Sequence, residues 1–161
     1  MTDLTKKKSS GGETIGALLA RNASRHGKDI ALREKKRGIW EETTWAEYAE
    51  EVLACAAGLE KIGVGPGKAV LILGDNRARL YGGMLAVSLL GAYAMPAYPG
   101  ATLEELRHFL GEVEIVAAIA EDQEQVDKIL ELKGAGAEGI SHIIYDEARG
   151  LGFYEVEGLM S

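Results

Sequence analysis

The stretch Ala69-Val-Leu-Ile-Leu-Gly-Asp-Asn-Arg77 decides the fold class. Five consecutive apolar residues, bounded by Gly67-Lys68 and Gly74, suit a strand buried on both faces, as strands of parallel sheets are. A parallel strand reaches its neighbour only through a crossover, usually a helix. The next residues supply one, because Leu80, Met84, Val87 and Gly91 mark a helix that is apolar on nearly every side. Tyr93 to Ala97 then reads as a second buried strand. Thr102 and Glu105 form a capping box that opens a helix with Leu103, Leu106, Phe109 and Leu110 on its inner face. Ile115 to Ile119 is a third strand, Gln123 to Leu132 an acidic helix with Val126, Ile129 and Leu130 inward, and Ser141 to Tyr145 a fourth strand.

This alternation predicts an α/β fold, doubly wound, with a mainly parallel sheet and helices on both faces. Upstream, Thr44 and Glu47 form another capping box, followed by Tyr48, Val52, Cys55, Leu59 and Ile62 on one face of a helix that stops at Gly63. Before it, Ile30 to Glu34 and Ile39 to Thr43 read as a short hairpin around Lys35–Gly38. The first helix carries Ile15, Leu18, Leu19 and Ala23 inward and ends near Gly27, read as a C′ glycine. Asp146 to Ser161 shows no clear period and no closing helix or strand. There is no internal repeat.

The chain has 161 residues, 47% hydrophobic and 27% charged, with one cysteine. At that length a fold buries roughly 70% of its unfolded surface, enough for one sizeable core. A single cysteine forms no internal disulfide, so a reducing compartment is expected. The formal net charge is −7, but residues 1–100 carry 14 Lys and Arg against 11 Asp and Glu, and residues 101–161 carry 4 against 14. So acidic a second half repels phosphate and excludes a nucleic-acid partner.

Met1 to Gly12 is polar and lacks an apolar core, so it is no secretory signal and reads as a flexible leader. Its Lys6, Lys7 and Lys8 could give only a weak electrostatic touch on an anionic membrane, about 1 kcal/mol each. Leu80 to Leu103 contains no charged residue and is long enough to resemble a transmembrane span. Pro96, Pro99 and Gly100 break it where a spanning helix needs its backbone bonds, so a buried helix followed by a strand is the better reading.

Most chemical motifs fail on placement. Gly134-Ala-Gly136-Ala-Glu-Gly139 fits GxGxxG, but it follows a helix and precedes a strand, the reverse of a pyrophosphate site. Gly63-Val-Gly65-Pro66-Gly67-Lys68 lacks the spacing and the Ser/Thr of a Walker loop and also leads from helix into strand. His26, His108 and His142 lie on three different elements without ligand spacing, so no metal site is expected. Cys55, among alanines, reads as a small buried hydrophobe, and Trp40 and Trp45 as core or edge packing. No Ser is bracketed for nucleophilic attack. One place remains. Gly74-Asp75-Asn76-Arg77 follows a strand directly and leads into a helix, at the carboxyl edge where open α/β sheets place ligands. Asp75, Asn76 and Arg77 are therefore the candidate cofactor-binding residues, although Asp75 or Asn76 would also serve as a plain helix N-cap.

Taken together, Thr44-Trp45-Ala-Glu47-Tyr48, Ala57-Gly58-Leu59, Gly63-Val64, Pro66-Gly67, Val70 and Gly74-Asp75-Asn76-Arg77 resemble the N-terminal region of AMP-forming acyl-CoA synthetases. Gly91-Ala92, Pro96, Thr102, Glu104-Glu105-Leu106 and Ala120-Glu-Asp-Gln-Glu-Gln-Val-Asp-Lys128 fit the same family. The GDNR tetrapeptide, that last block and Ile144-Tyr145-Asp146 with Arg149-Gly150-Leu151 look most like its long-chain fatty acyl-CoA synthetase branch, while Ala78-Arg79-Leu80 departs from the Pro-Glu-Trp that often follows GDNR. The resemblance implies that a carboxylate attacks the α-phosphate of ATP, with Mg²⁺, to give an acyl-adenylate and pyrophosphate. Coenzyme A thiol then displaces AMP. It also implies that the Ser/Thr/Gly-rich phosphate loop, the Tyr-Gly-x-Thr-Glu motif, the ribose-binding Asp and the catalytic Lys all lie beyond Ser161. No catalytic residue is therefore assigned to this chain. The expected organisation is a leader over residues 1–12 and an incomplete N-terminal α/β domain over 13–161, inactive alone, self-associating through faces the rest of the domain would cover. Its expected partners are that remainder and, for the full-length protein, fatty acid, ATP and CoA. The expected location is cytoplasmic, with peripheral contact at the inner membrane face as a further possibility. The alternative is a stand-alone, non-catalytic binding or interaction module on the same scaffold.

Overall fold

The computed structural model describes residues 14–110, 113–137, 139–146 and 157–158. The residue 1–12 leader and the Arg149-Gly150-Leu151 motif lie outside them.

Helix α1 (Ile15–His26) opens on Thr14, whose hydroxyl accepts from the Ala17 amide at 3.2 Å. Leu19 is its buried residue, whereas Ile15, expected inside, is 54% exposed. Gly27 caps α1 in the right-handed region (φ −52°), not as the left-handed C′ glycine expected. Its carbonyl instead accepts from the Ala46 amide at 3.1 Å, tying the helix end to the start of α2.

Strands β1 (Ile30–Lys36) and β2 (Ile39–Thr44) pair antiparallel as a separate hairpin. Its turn is two residues, Arg37 (φ 49°) and Gly38 (φ 85°), a twist that suits tight hairpins and that glycine adopts without strain. Trp40 stands exposed there, with the Lys35 ammonium 5.9 Å from its ring centroid, while Trp45 packs against the core.

Helix α2 (Trp45–Lys61) has the full capping box expected of Thr44 and Glu47: the Thr44 amide donates to the Glu47 carboxylate at 2.9 Å, and the Glu47 amide to the Thr44 hydroxyl at 3.3 Å. Tyr48, Val52 and Leu59 are buried, and Cys55 and Ile62 lie partly buried beside them.

Strand β3 (Ala69–Leu73) is buried throughout, every residue 2% exposed or less. After α3 (Ala78–Leu89), β4 (Tyr93–Ala97), α4 (Leu103–Leu110), β5 (Ile115–Ala120), α5 (Gln123–Gly134), β6 (His142–Tyr145) and β7 (Glu157–Gly158), the sheet order is β4-β3-β5-β6-β7, all parallel. Helices α1, α2 and α3 cover one face through Val70, Ile72, Ala117, Ile119 and Ile144. Helices α4 and α5 cover the other through Leu71, Leu73, Ala118, Ala120 and Ile143. The fold is thus α/β with helices on both faces of a parallel sheet, as the sequence predicts.

Three further expectations need correction. β4 is not a buried strand but the sheet's edge, with Tyr93 58% exposed; Pro96, which has no N–H to donate, sits where only one neighbour is present. The segment after Asp146 does contain a strand, β7, on β6. On α5, Leu132 joins Val126 and Ile129 as fully buried, and Leu130 is only partly so. The side chains of Phe109 and Leu110 lie outside the described residues. The uncharged run divides between α3, β4 and a turn, and among the described residues no helix is long and apolar enough to cross a membrane.

Candidate functional site

All four strands β3 to β6 end at the same edge, and their following residues meet there. Gly74, Asp75, Asn76 and Arg77 line a cleft of about 330 Å³ with Tyr81 and Met84 of α3 and Pro96 of β4. The structure therefore brings the three sequence candidates together at one cavity. It does not use Asp75 or Asn76 as a helix cap. The N-cap of α3 is Arg77, and its side chain makes no capping bond.

What those residues do instead depends on Glu121, which directly follows β5 and is 8% exposed. The Asp75 amide donates to its Oε2 at 2.6 Å, and Arg77 Nε donates to its Oε1 at 2.7 Å. Such short charge-assisted bonds are about twice as strong as neutral ones. The pairing holds the Arg77 guanidinium above even its ordinary high pKa, with Glu34 and Asp75 adding to the effect. Glu34, on the hairpin, reaches Arg77 from the other side at 3.7 Å. A Cβ on Gly74 would lie 2.6 Å from both the Glu121 Cβ and the Leu80 Cδ2, so the turn approaches Glu121 only because residue 74 has no side chain.

A second cavity of about 650 Å³ separates the hairpin from this edge, lined by Lys36, Arg37, Arg79 and Asp146 among others. Arg79, in the first turn of α3, donates to Asp146 at the end of β6, 3.2 Å away. Burial pushes the Asp146 carboxyl above its usual range, against the opposing pull of Arg79 and Lys36. Each arginine of the Arg77-Ala-Arg79 segment is thus matched to an acid that follows a different strand.

The other motifs sit where their chemistry has no support. Gly63–Lys68 and, of the second motif, Gly134–Ala137 and Gly139 lie at the opposite, amino edge of the sheet, where Lys68 pairs with Glu114. Burial raises the Cys55 thiol to about 11, which keeps it protonated and unreactive at neutral pH. His26 bonds Asp29 at 3.1 Å, while His142 Nδ1 is buried with no hydrogen-bond partner among the described residues. Among the described residues no group of three His, Cys, Asp or Glu stands close enough to share a metal ion.

Glu121 and Asp146, quoted in the sequence only within the blocks that carry the family resemblance, were not among the candidate site residues, yet they bind the Gly74–Arg79 segment. The signal was present, since each is the first charged residue after a buried strand and therefore belongs to the same edge as Asp75.

Residues 19–157 match the family model described as AMP-binding enzyme. The chain is 32% identical over 98 residues to the long-chain-fatty-acid–CoA ligase FadD15 of Mycobacterium tuberculosis, covering 61% of this chain and 16% of that protein. It is 26% identical over 120 residues to the long-chain-fatty-acid–CoA ligase ACSBG2 of Xenopus laevis, covering 74% of this chain and 16% of that one. It therefore spans about 16% of the length of these curated relatives. Among solved structures, a long-chain-fatty-acid CoA ligase from Rhodopseudomonas palustris superposes with a TM-score of 0.75 at 22% identity, covering 91% of this chain and 35% of that one. The acetoacetyl-CoA synthetase of Streptomyces lividans superposes at 0.79 with 19% identity, covering 89% and 24%.

Proposed function

The chain belongs to the AMP-binding enzyme family, and on that premise we propose that it is the amino-terminal scaffold portion of a long-chain fatty acid–CoA ligase. In the complete protein, fatty acid and ATP give an acyl-adenylate and pyrophosphate, and CoA then takes the acyl group as a thioester. The part proposed for residues 13–161 is to build the first strands of the sheet and hold its carboxyl edge in place, inactive alone, in a cytoplasmic enzyme.

One observation carries this reading. The charged side chains that join the strand ends are engaged with one another: Glu121 takes the Asp75 backbone N–H and Arg77 Nε, and Asp146 takes Arg79. Glu121 and Asp146 are taken up by arginines, and among the described residues no group of three His, Cys, Asp or Glu could hold a metal ion, so no step of the ATP chemistry is assigned to this edge. What they do is fix the turn after β3 relative to the ends of β5 and β6.

Incubation of the 161-residue chain with ATP, Mg²⁺, palmitate and CoA is expected to give no thioester and no ATP–pyrophosphate exchange. Both activities are expected when the missing part of the ligase is supplied. Turnover by this chain alone rules the scaffold reading out.

A second reading, a stand-alone binding module, draws on the cleft of about 330 Å³ with Tyr81 and Met84 in its wall. Saturable binding of AMP or an acyl chain by a monodisperse monomer in calorimetry favours it over the first.

A further inference from the structure

The order β4-β3-β5-β6 contains one point where the outgoing connections part. Helix α3 leaves β3 toward one face of the sheet, and α5 leaves β5 toward the other. In open α/β sheets the gap between the carboxyl ends of two such strands is where ligands enter. Here the gap is filled from within. Glu121 reaches across it from the end of β5, and its two oxygens meet two different donors on the chain leaving β3, the Asp75 amide at 2.6 Å and Arg77 Nε at 2.7 Å. One backbone N–H and one guanidinium N–H, set against the two oxygens of a planar carboxylate, form a carboxylate-binding arrangement. Gly74 completes it, because any side chain there would strike Glu121.

We propose that the crevice between β3 and β5 is a carboxylate receptor which the chain occupies with its own Glu121. The turn over residues 74–77 is thereby held in a liganded form at all times, and the crevice is closed to carboxylates from outside. Glu34 does not replace Glu121 in this role, since it meets Arg77 at Nη1, at 3.7 Å, and no bond joins it to the Asp75 amide among the described residues. The inference does not rest on the ligase reading, because it concerns only what fills the gap.

The test is a formate titration of the full 161-residue chain carrying Glu121→Ala, followed by NMR at the Asp75 amide and the Arg77 Nε–H. Expected is a saturable shift of both signals with formate, absent with chloride at equal ionic strength and absent in the unsubstituted chain. A folded Glu121→Ala chain on which formate and chloride act alike overturns the proposal, as does an unsubstituted chain that responds equally. Should Glu121→Ala fold only when formate is present, the receptor is supported. Should it stay unfolded at saturating formate while Glu121→Gln folds, the receptor is refuted. In Glu121→Gln the gap stays filled, so formate is expected to shift neither signal, and a saturable shift there counts against the proposal.

Discussion

At position 74 a single methyl group has nowhere to go. Gly74→Ala places a Cβ 2.6 Å from two side-chain carbons, one of them the Cβ of Glu121, which cannot swing aside as a flexible tip would. The expected cost is about 1–3 kcal/mol, the usual range for overpacking, read as a lower midpoint in urea denaturation. Asp146 acts on stability through pH. Its folded pKa is raised, so between the ordinary carboxylate value and that raised value the folded chain holds more proton than the unfolded one. Stability from this group is therefore full below the unfolded pKa and is lost as pH rises through the folded one. Asp146→Asn is expected to abolish that decline, and a stability–pH curve with an unchanged descent in this window contradicts the assignment. Of this edge, the turn Gly74–Arg77 was legible from sequence because it follows an unmistakable strand. The role of Glu121 was not, because it sits 46 residues from Asp75 and depends on which strand lies beside β3. Local patterns place a residue at the end of a strand but say nothing of the strand's neighbour.

Helix starts, by contrast, were readable from four residues each. Thr44 with Glu47 and Thr102 with Glu105 both form the reciprocal bonds their spacing implies. Thr44→Ala is expected to cost about 1 kcal/mol in thermal or urea unfolding. The bonds to Thr44 hold the Glu47 carboxyl below its usual range, so their contribution is present above the unfolded pKa and disappears as pH falls through the folded one. The difference between Thr44→Ala and the unsubstituted chain should accordingly shrink in acid, and a constant difference tells against the capping box. Helix α3 was the harder case: its N-cap is an arginine with no capping bond, since the acid and amide before it belong to the turn. Strand β4 was assigned as a strand correctly and as buried wrongly. Tyr93-Ala-Met-Pro-Ala97 is apolar enough for either position, and only the sheet order makes it an edge.

At the scale of the molecule, the β4 edge of the sheet lies open among the described residues. Among the described residues β4 has one neighbour in the sheet, Tyr93 is 58% and Tyr98 84% exposed, and an open strand edge is a template for further pairing. The isolated chain is expected to associate as its concentration rises, and Tyr93→Lys to reduce that association. Sedimentation velocity showing a monomer at every concentration removes the edge as a contact surface. The placement of β3 between β4 and β5 also bears on synthesis. A chain made from its amino end exposes β3 and β4 to the cell before β5 exists. Until residue 121 has cleared the ribosome tunnel, β3 of the nascent polypeptide has a neighbour on one side only, and Arg77 waits without its main counter-ion.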